Sequence, residues 1–110
     1  MTLKKIEKLD FNTNPDEGVE MLKICLFEGK YDLFLVALRK ATIAWKGISS
    51  VAKETGFRRE SLYKTLSLNG NPKWETVEAV VNSLGFQFEL KPIPSPRKKS
   101  IRKRTNVKSR

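Results

Sequence analysis

The chain has no histidine and only one cysteine, Cys25, in 110 residues. Without imidazole there is no histidine general base, no Ser-His-Asp constellation and no histidine metal ligand. A lone thiol closes no internal disulfide and builds no zinc knuckle, which needs several Cys or His at set spacing. The chain therefore reads as cytoplasmic, with Cys25 a small buried apolar residue. Long apolar runs are absent as well: nothing approaches the roughly 20 residues that cross a bilayer, and Met1 to Asp10 lacks a signal-peptide apolar core. A soluble intracellular protein without a membrane partner is expected. Of the 12 acids, Asp16, Glu17 and Glu20 read as first-turn helix charges, and no base or nucleophile stands beside them at a telling spacing. No catalytic residue, metal site or cofactor is expected, and the chain reads as a non-enzyme.

What is abundant is positive charge, and it is unevenly placed. Lys and Arg number 22 and the net charge is +10. Residues 92–110 hold Arg97, Lys98, Lys99, Arg102, Lys103, Arg104, Lys108 and Arg110 and no acid, so they carry +8, leaving residues 1–91 at only +2. This segment opens with Pro92-Ile93-Pro94-Ser95-Pro96, whose prolines fix φ and remove donors, and then offers only Ile101 and Val107 as sizeable apolar residues. It reads as a disordered basic tail. Either it is a solvated, solubilising tail or Arg97, Lys98, Lys99, Arg102, Lys103 and Arg104 contact a polyanion, for which nucleic acid is favoured because an amphipathic membrane-binding face is lacking. Three units follow: a lead-in over 1–14, a domain over 15–91 and the tail over 92–110.

Lys4 to Phe11 alternates loosely and fits either a short strand or an irregular lead-in. Asn14-Pro15-Asp16-Glu17 starts a helix: Asn accepts from free amides, Pro suits the first helical position, and acids complement the positive dipole end. Val19, Leu22 and Leu26 then share one face, and Gly29 supplies a stop. A second helix runs from about Asp32 to Trp45 with Phe34, Ala37, Leu38, Ala41 and Trp45 at helical spacing, broken at Gly47. After Asn71-Pro72 a third stripe of Trp74, Val77, Val80, Val81 and Leu84 marks a core-facing helix that ends at Gly85. Trp45 and Trp74 are expected as core anchors. Phe86 to Leu90 alternates with period two between Gly85 and Pro92 and reads as a short strand. A single strand needs a ladder partner, either Lys4 to Phe11 or its own copy in a second chain, and the latter makes a homodimer.

Residues 48–66 divide into a short helix, a glycine turn and a second helix. A helix-turn-helix needs a small residue where the helices touch, a residue free to take positive φ at the turn, and apolar anchors beneath both helices. Ala52, Gly56 and the set Val51, Phe57, Leu62 and Leu66 supply these. Arg58, Arg59, Glu60, Ser61 and Lys64 are left near the outer, leading side of the second helix, which in this motif enters the major groove with its first turns nearest the bases. Arg58 and Arg59 can pair with guanine or clamp phosphate. Glu60 can accept from cytosine, orient Arg59 or complement the dipole; Lys64 reaches bases or backbone. Tyr63 either packs its ring on the bundle or brings its hydroxyl to phosphate. Ser49 and Ser50 open the first helix, where they cap it or meet a phosphate. Asn69, Asn71 and Lys73 in the following loop are candidate backbone contacts.

The stretch Gly47 to Ser67, followed by Asn69-Gly70-Asn71-Pro72 and Thr76, resembles the addiction-module antidote family, antitoxins of type II toxin-antitoxin systems within the phage-repressor-like (Xre) helix-turn-helix class. The similarity spans about residues 15 to 90. It implies an all-α, lambda-repressor-like bundle of about five helices with a short terminal strand. It further implies a transcriptional repressor that binds double-stranded operator DNA, autoregulates its operon and neutralises a small toxin protein. Two residues depart from the pattern: Ile48 stands where many phage-type repressors have a phosphate-binding Gln, and Arg58 where many have a small capping residue. Two other readings stay open beside it, a phage-type regulator with no toxin partner and a toxin-occluding interaction protein with incidental DNA binding.

Overall fold

The computed structural model describes residues 2–90 and 92, and every regular element in it is an α-helix. The order is α1 (Leu3–Lys8), α2 (Pro15–Phe27), α3 (Tyr31–Trp45), α4 (Ile48–Thr55), α5 (Arg59–Thr65) and α6 (Trp74–Ser83). The basic residues Arg97, Lys98, Lys99, Arg102, Lys103 and Arg104 lie outside the described residues.

Helix α3 is the axis of the assembly. Leu33 to Leu38 are all buried and Ala41 and Thr42 follow, so its stripe is wider than the expected one. A helix apolar on most sides must be covered on most sides, and α1, α2 and α4 pack against it. Thr42 is buried because its hydroxyl donates to the Leu38 carbonyl, 2.7 Å away, leaving no unpaired polar atom.

The helix count exceeds the expected five by α1, where the sequence offered a strand or a lead-in. Six residues cannot hold a helix alone, since nucleation is not repaid over so few bonds. Tertiary contacts supply the difference. Thr2 accepts from the Lys5 amide at the start, Ile6 is buried, and Lys40 of α3 donates to the terminal carbonyls of Ile6 and Glu7 at 3.1 and 2.8 Å. Asp10 then folds the following turn, accepting from the Thr13 hydroxyl and from the Thr13 and Asn12 amides, which, the hydroxyl foremost, hold its carboxyl below the usual range.

Helix α2 begins at Pro15 with Asp16 and Glu17 in its first turn, as the sequence implied, but Asn14 makes no side-chain cap bond. Its deepest face is Gly18, Met21 and Cys25, one position round from the expected stripe. Val19, Leu22 and Leu26 flank that face, half-buried. Gly18 is required by Phe11: a Cβ there would fall 2.6 Å from the Phe11 ring and 3.1 Å from Trp45. Trp45 anchors the core as expected, its ring against Phe11 and its Nε1 donating to the Phe11 carbonyl at 3.0 Å.

Trp74 does not join the core; it is 57% exposed and rests on Phe88 with ring centroids 4.7 Å apart. Nor do residues 86–90 form a strand: no strand occurs among the described residues. The alternation there instead seats Phe86 on Trp45 and Phe88 on Phe34 and Trp74; Lys4 to Phe11, the intrachain partner it could have paired with, is committed to α1, the Asp10 turn and the contact of Phe11 with Trp45.

Candidate nucleic-acid interface

Gly47 and Gly56 delimit α4. Both take positive φ, 96° and 85°, a region open to glycine and costly for other residues. Gly56 closes α4 in the left-handed conformation while its N–H donates to the Ala52 carbonyl. The chain thereby reverses tightly enough for α5 to pack back on α4. Ile48, Val51 and Ala52 are buried under α4 and Leu62 and Leu66 beneath α5, so the apolar sides of both short helices face inward.

The inward anchoring leaves the polar residues outside. Arg58, Arg59, Glu60, Ser61, Tyr63 and Lys64 are all exposed, as are Ser49 and Ser50 on the first turn of α4. Arg58 holds the N-cap position of α5 without a side-chain cap bond, so its guanidinium is not used to close the helix. Arg59 lies over the Tyr63 ring, 5.9 Å from its centroid, an i, i+4 cation–π pair that orients the cation along the helix surface. The ring of Tyr63 thus packs on Arg59 of its own helix while remaining 40% exposed.

Few of the candidate residues share a hollow. Arg58 and Ser61 line a hollow of about 290 Å³ together with Gly56, Phe57, Thr65 and Thr76. Thr65 and Thr76 were not singled out as candidates for contact; they are half-buried, and only the packing of α6 on α4 brings Thr76 there. Asn71 instead lines a separate groove of about 520 Å³ with Tyr31, Phe34, Pro72, Trp74 and Phe88, and so stands apart from the arginines. Asn69 and Lys73 are exposed on the same loop. That loop is pinned by the Ser67 hydroxyl donating to the Lys64 carbonyl and by the Gly70 amide donating to Ser67.

The arrangement is braced from below. Lys46, just after α3, donates to the Glu54 carboxylate of α4 and to the Ser83 carbonyl at the end of α6, and Ser83 Oγ donates to the same carboxylate. These bonds, with that from Lys46 foremost, lower the Glu54 pKa from its ordinary value.

Among the described residues no three His, Cys, Asp or Glu side chains converge as metal ligands, and no helix is long and apolar enough to cross a membrane. An exposed turn of two helices bearing guanidinium, ammonium, hydroxyl and amide groups is suited to an extended anionic surface.

A protein of Haemophilus influenzae described as an uncharacterized protein is 35% identical over 88 residues, covering 80% of this chain and 90% of that protein. No solved structure matches the chain. Residues 2–92 match the family described as "Probable addiction module antidote protein". The chain belongs to that family of addiction-module antidotes, a role that implies a toxin partner.

Proposed function

We propose that the protein is a non-enzymatic cytoplasmic antitoxin that neutralises a small toxin and, as a homodimer of the Xre helix-turn-helix class, represses its own toxin-antitoxin operon by binding double-stranded operator DNA. The observation carrying the DNA-binding half is the Gly56 turn, with Leu62 and Leu66 buried beneath α5 and Arg58, Arg59, Ser61 and Lys64 exposed on it. In this reading α4 and α5 are the helix-turn-helix and α5 enters the major groove. Ser49 and Ser50, at the amide-rich start of α4, meet one phosphate, while Asn69, Asn71 and Lys73 meet the backbone beyond. Arg59, propped on Tyr63, reads a base edge; Arg58, Glu60, Ser61 and Lys64 surround it. The tail cations from Arg97 to Arg104 add sequence-independent phosphate contacts. Family membership supports the antitoxin half.

The test is footprinting and competition binding on the region upstream of the gene. Two half-sites about 34 Å apart or a multiple of it are expected on a near-palindromic operator. Arg59→Ala should weaken specific binding by about 1–3 kcal/mol and relax preference at one base pair. Uniform, sequence-independent protection would refute the repressor reading. A second reading, an interaction protein that occludes a toxin with incidental DNA binding, draws on the groove edged by the exposed Tyr31 and Trp74. Growth rescue by co-expression that persists in an Arg58→Ala, Arg59→Ala, Lys64→Ala triple variant with no operator preference in the parent would favour it.

A further inference from the structure

The segment after α6 is patterned for a sheet that the monomer does not provide. Phe86-Gln87-Phe88-Glu89-Leu90 alternates apolar and polar, yet Gln87, Phe88 and Leu90 make no backbone hydrogen bond within the described residues. Phe86 and Phe88 rest on aromatic rings of the body. Leu90, next on the same side of an extended chain, has nothing beneath it and is 100% exposed. Beside Phe86 lies an apolar cavity of about 140 Å³ lined by Val19, Leu22, Leu38, Leu84 and Phe88. Apolar cavities of about this size accept a compact hydrocarbon group.

We propose that residues 86–90 of two copies pair antiparallel about a two-fold axis at Phe88, each Leu90 entering the apolar cavity beside Phe86 of the other copy. This specifies the interface of the homodimer proposed above and rests on that two-fold reading. The register follows from the ends of the segment. Centring on Phe88 sets Leu90 directly opposite Phe86, close enough for their side chains to meet, and lets 86–90 lie along its copy while the Phe86 amide stays with the Val81 carbonyl. Moving the centre to Glu89 places acid against acid and brings Pro92, which has no amide to donate, opposite Phe86. Moving it to Gln87 runs Leu90 against Leu84, the C-cap of α6. With the centre at Phe88, Glu89 faces Gln87, so no like charges meet. A free two-stranded ribbon is marginal in water, but here each strand is already held on its own body by Phe86 and Phe88. The exposed Leu90 and the cavity then complement each other twice in one isologous contact.

Sedimentation equilibrium on the full-length chain without DNA tests this. The parent should show a concentration-dependent dimer. Leu90→Asp, at a fully exposed position that costs the monomer nothing, should weaken it at least about tenfold while the melting temperature of dilute protein stays put. A parent that is monomeric at tens of micromolar, or a dimer indifferent to Leu90→Asp, overturns the proposal. Register is read by mixing Gln87→Cys and Glu89→Cys variants under mild oxidation, Cys25 being buried. The mixed 87–89 disulfide should exceed either symmetric one, and equal yields or a dominant 87–87 product overturn the pairing. Because no DNA is present, a dimer of this kind that ignores its operator defeats the DNA-binding reading alone. A monomer that prefers its operator defeats this interface alone.

Discussion

Replacing Gly70 by alanine separates two reasons a glycine can be needed. Gly70 follows α5 in the loop that carries Asn69 and Asn71, and its requirement is space. A Cβ built there falls inside the envelope of the Thr65 carbonyl oxygen, 2.8 Å from the Thr65 carbonyl carbon and 3.1 Å from the Ser67 oxygen, where ordinary contact begins at 3.4 Å. All three are backbone atoms that no rotamer change can move. Relief requires displacing the loop from the end of α5, beyond the usual overpacking cost, so about 3 kcal/mol or more is expected. Gly56 is the contrasting case: its φ is +85°, but a Cβ there meets nothing within 4 Å. Gly56→Ala should cost only the left-handed backbone penalty, roughly 1–2 kcal/mol. For a domain of this size 1 kcal/mol moves the melting temperature by about 4–8 °C, so Gly70→Ala should melt roughly 12 °C or more below the parent and clearly below Gly56→Ala. Thermal unfolding followed by circular dichroism, with a urea titration to obtain free energies, reads both variants. A Gly70→Ala protein that melts within about 4 °C of the parent, or above Gly56→Ala, would refute the steric argument.

Deleting residues 92–110 removes eight cations and no acid; it should weaken DNA binding and flatten the salt dependence by up to about 0.9 log unit for each phosphate the segment neutralises, while sparing toxin neutralisation. An unchanged salt slope would leave the segment without a phosphate role. Glu54 has a lowered folded pKa because Lys46 and Ser83 donate to it, so its stabilisation is present above its ordinary pKa and is lost as pH falls through the lower, folded value. Glu54→Gln should therefore melt below the parent at neutral pH and converge with it in acid, and a constant difference across that range would count against the clasp. Tyr63→Phe should leave operator affinity nearly unchanged, whereas Tyr63→Ala should lower it by the roughly 0.5–1 kcal/mol of an exposed cation–π pair; equal losses would point to the hydroxyl instead.

Where apolar spacing and glycine coincide, the sequence was enough. The bounds of α3, the break at Gly47, the turn at Gly56 and the burial of Leu62 and Leu66 were legible because helical period and positive-φ glycine are local properties of the chain. So was the exposure of Arg58, Arg59, Ser61 and Lys64, since anchoring one side of a two-turn helix leaves these charges and hydroxyls to the other. Local pattern failed where the deciding partner was distant. Helix α1 exists because Lys40, more than thirty residues away, closes its carbonyls. Trp74 lies on an apolar stripe, yet it stays more than half in solvent, resting on Phe88 of the segment after α6 and not on the core. The period-two run at 86–90 was read as a strand, but alternation says only that every second side chain faces the body. Whether the backbone between finds a ladder depends on which segment remains free to pair, and α1 had already claimed the one within this chain.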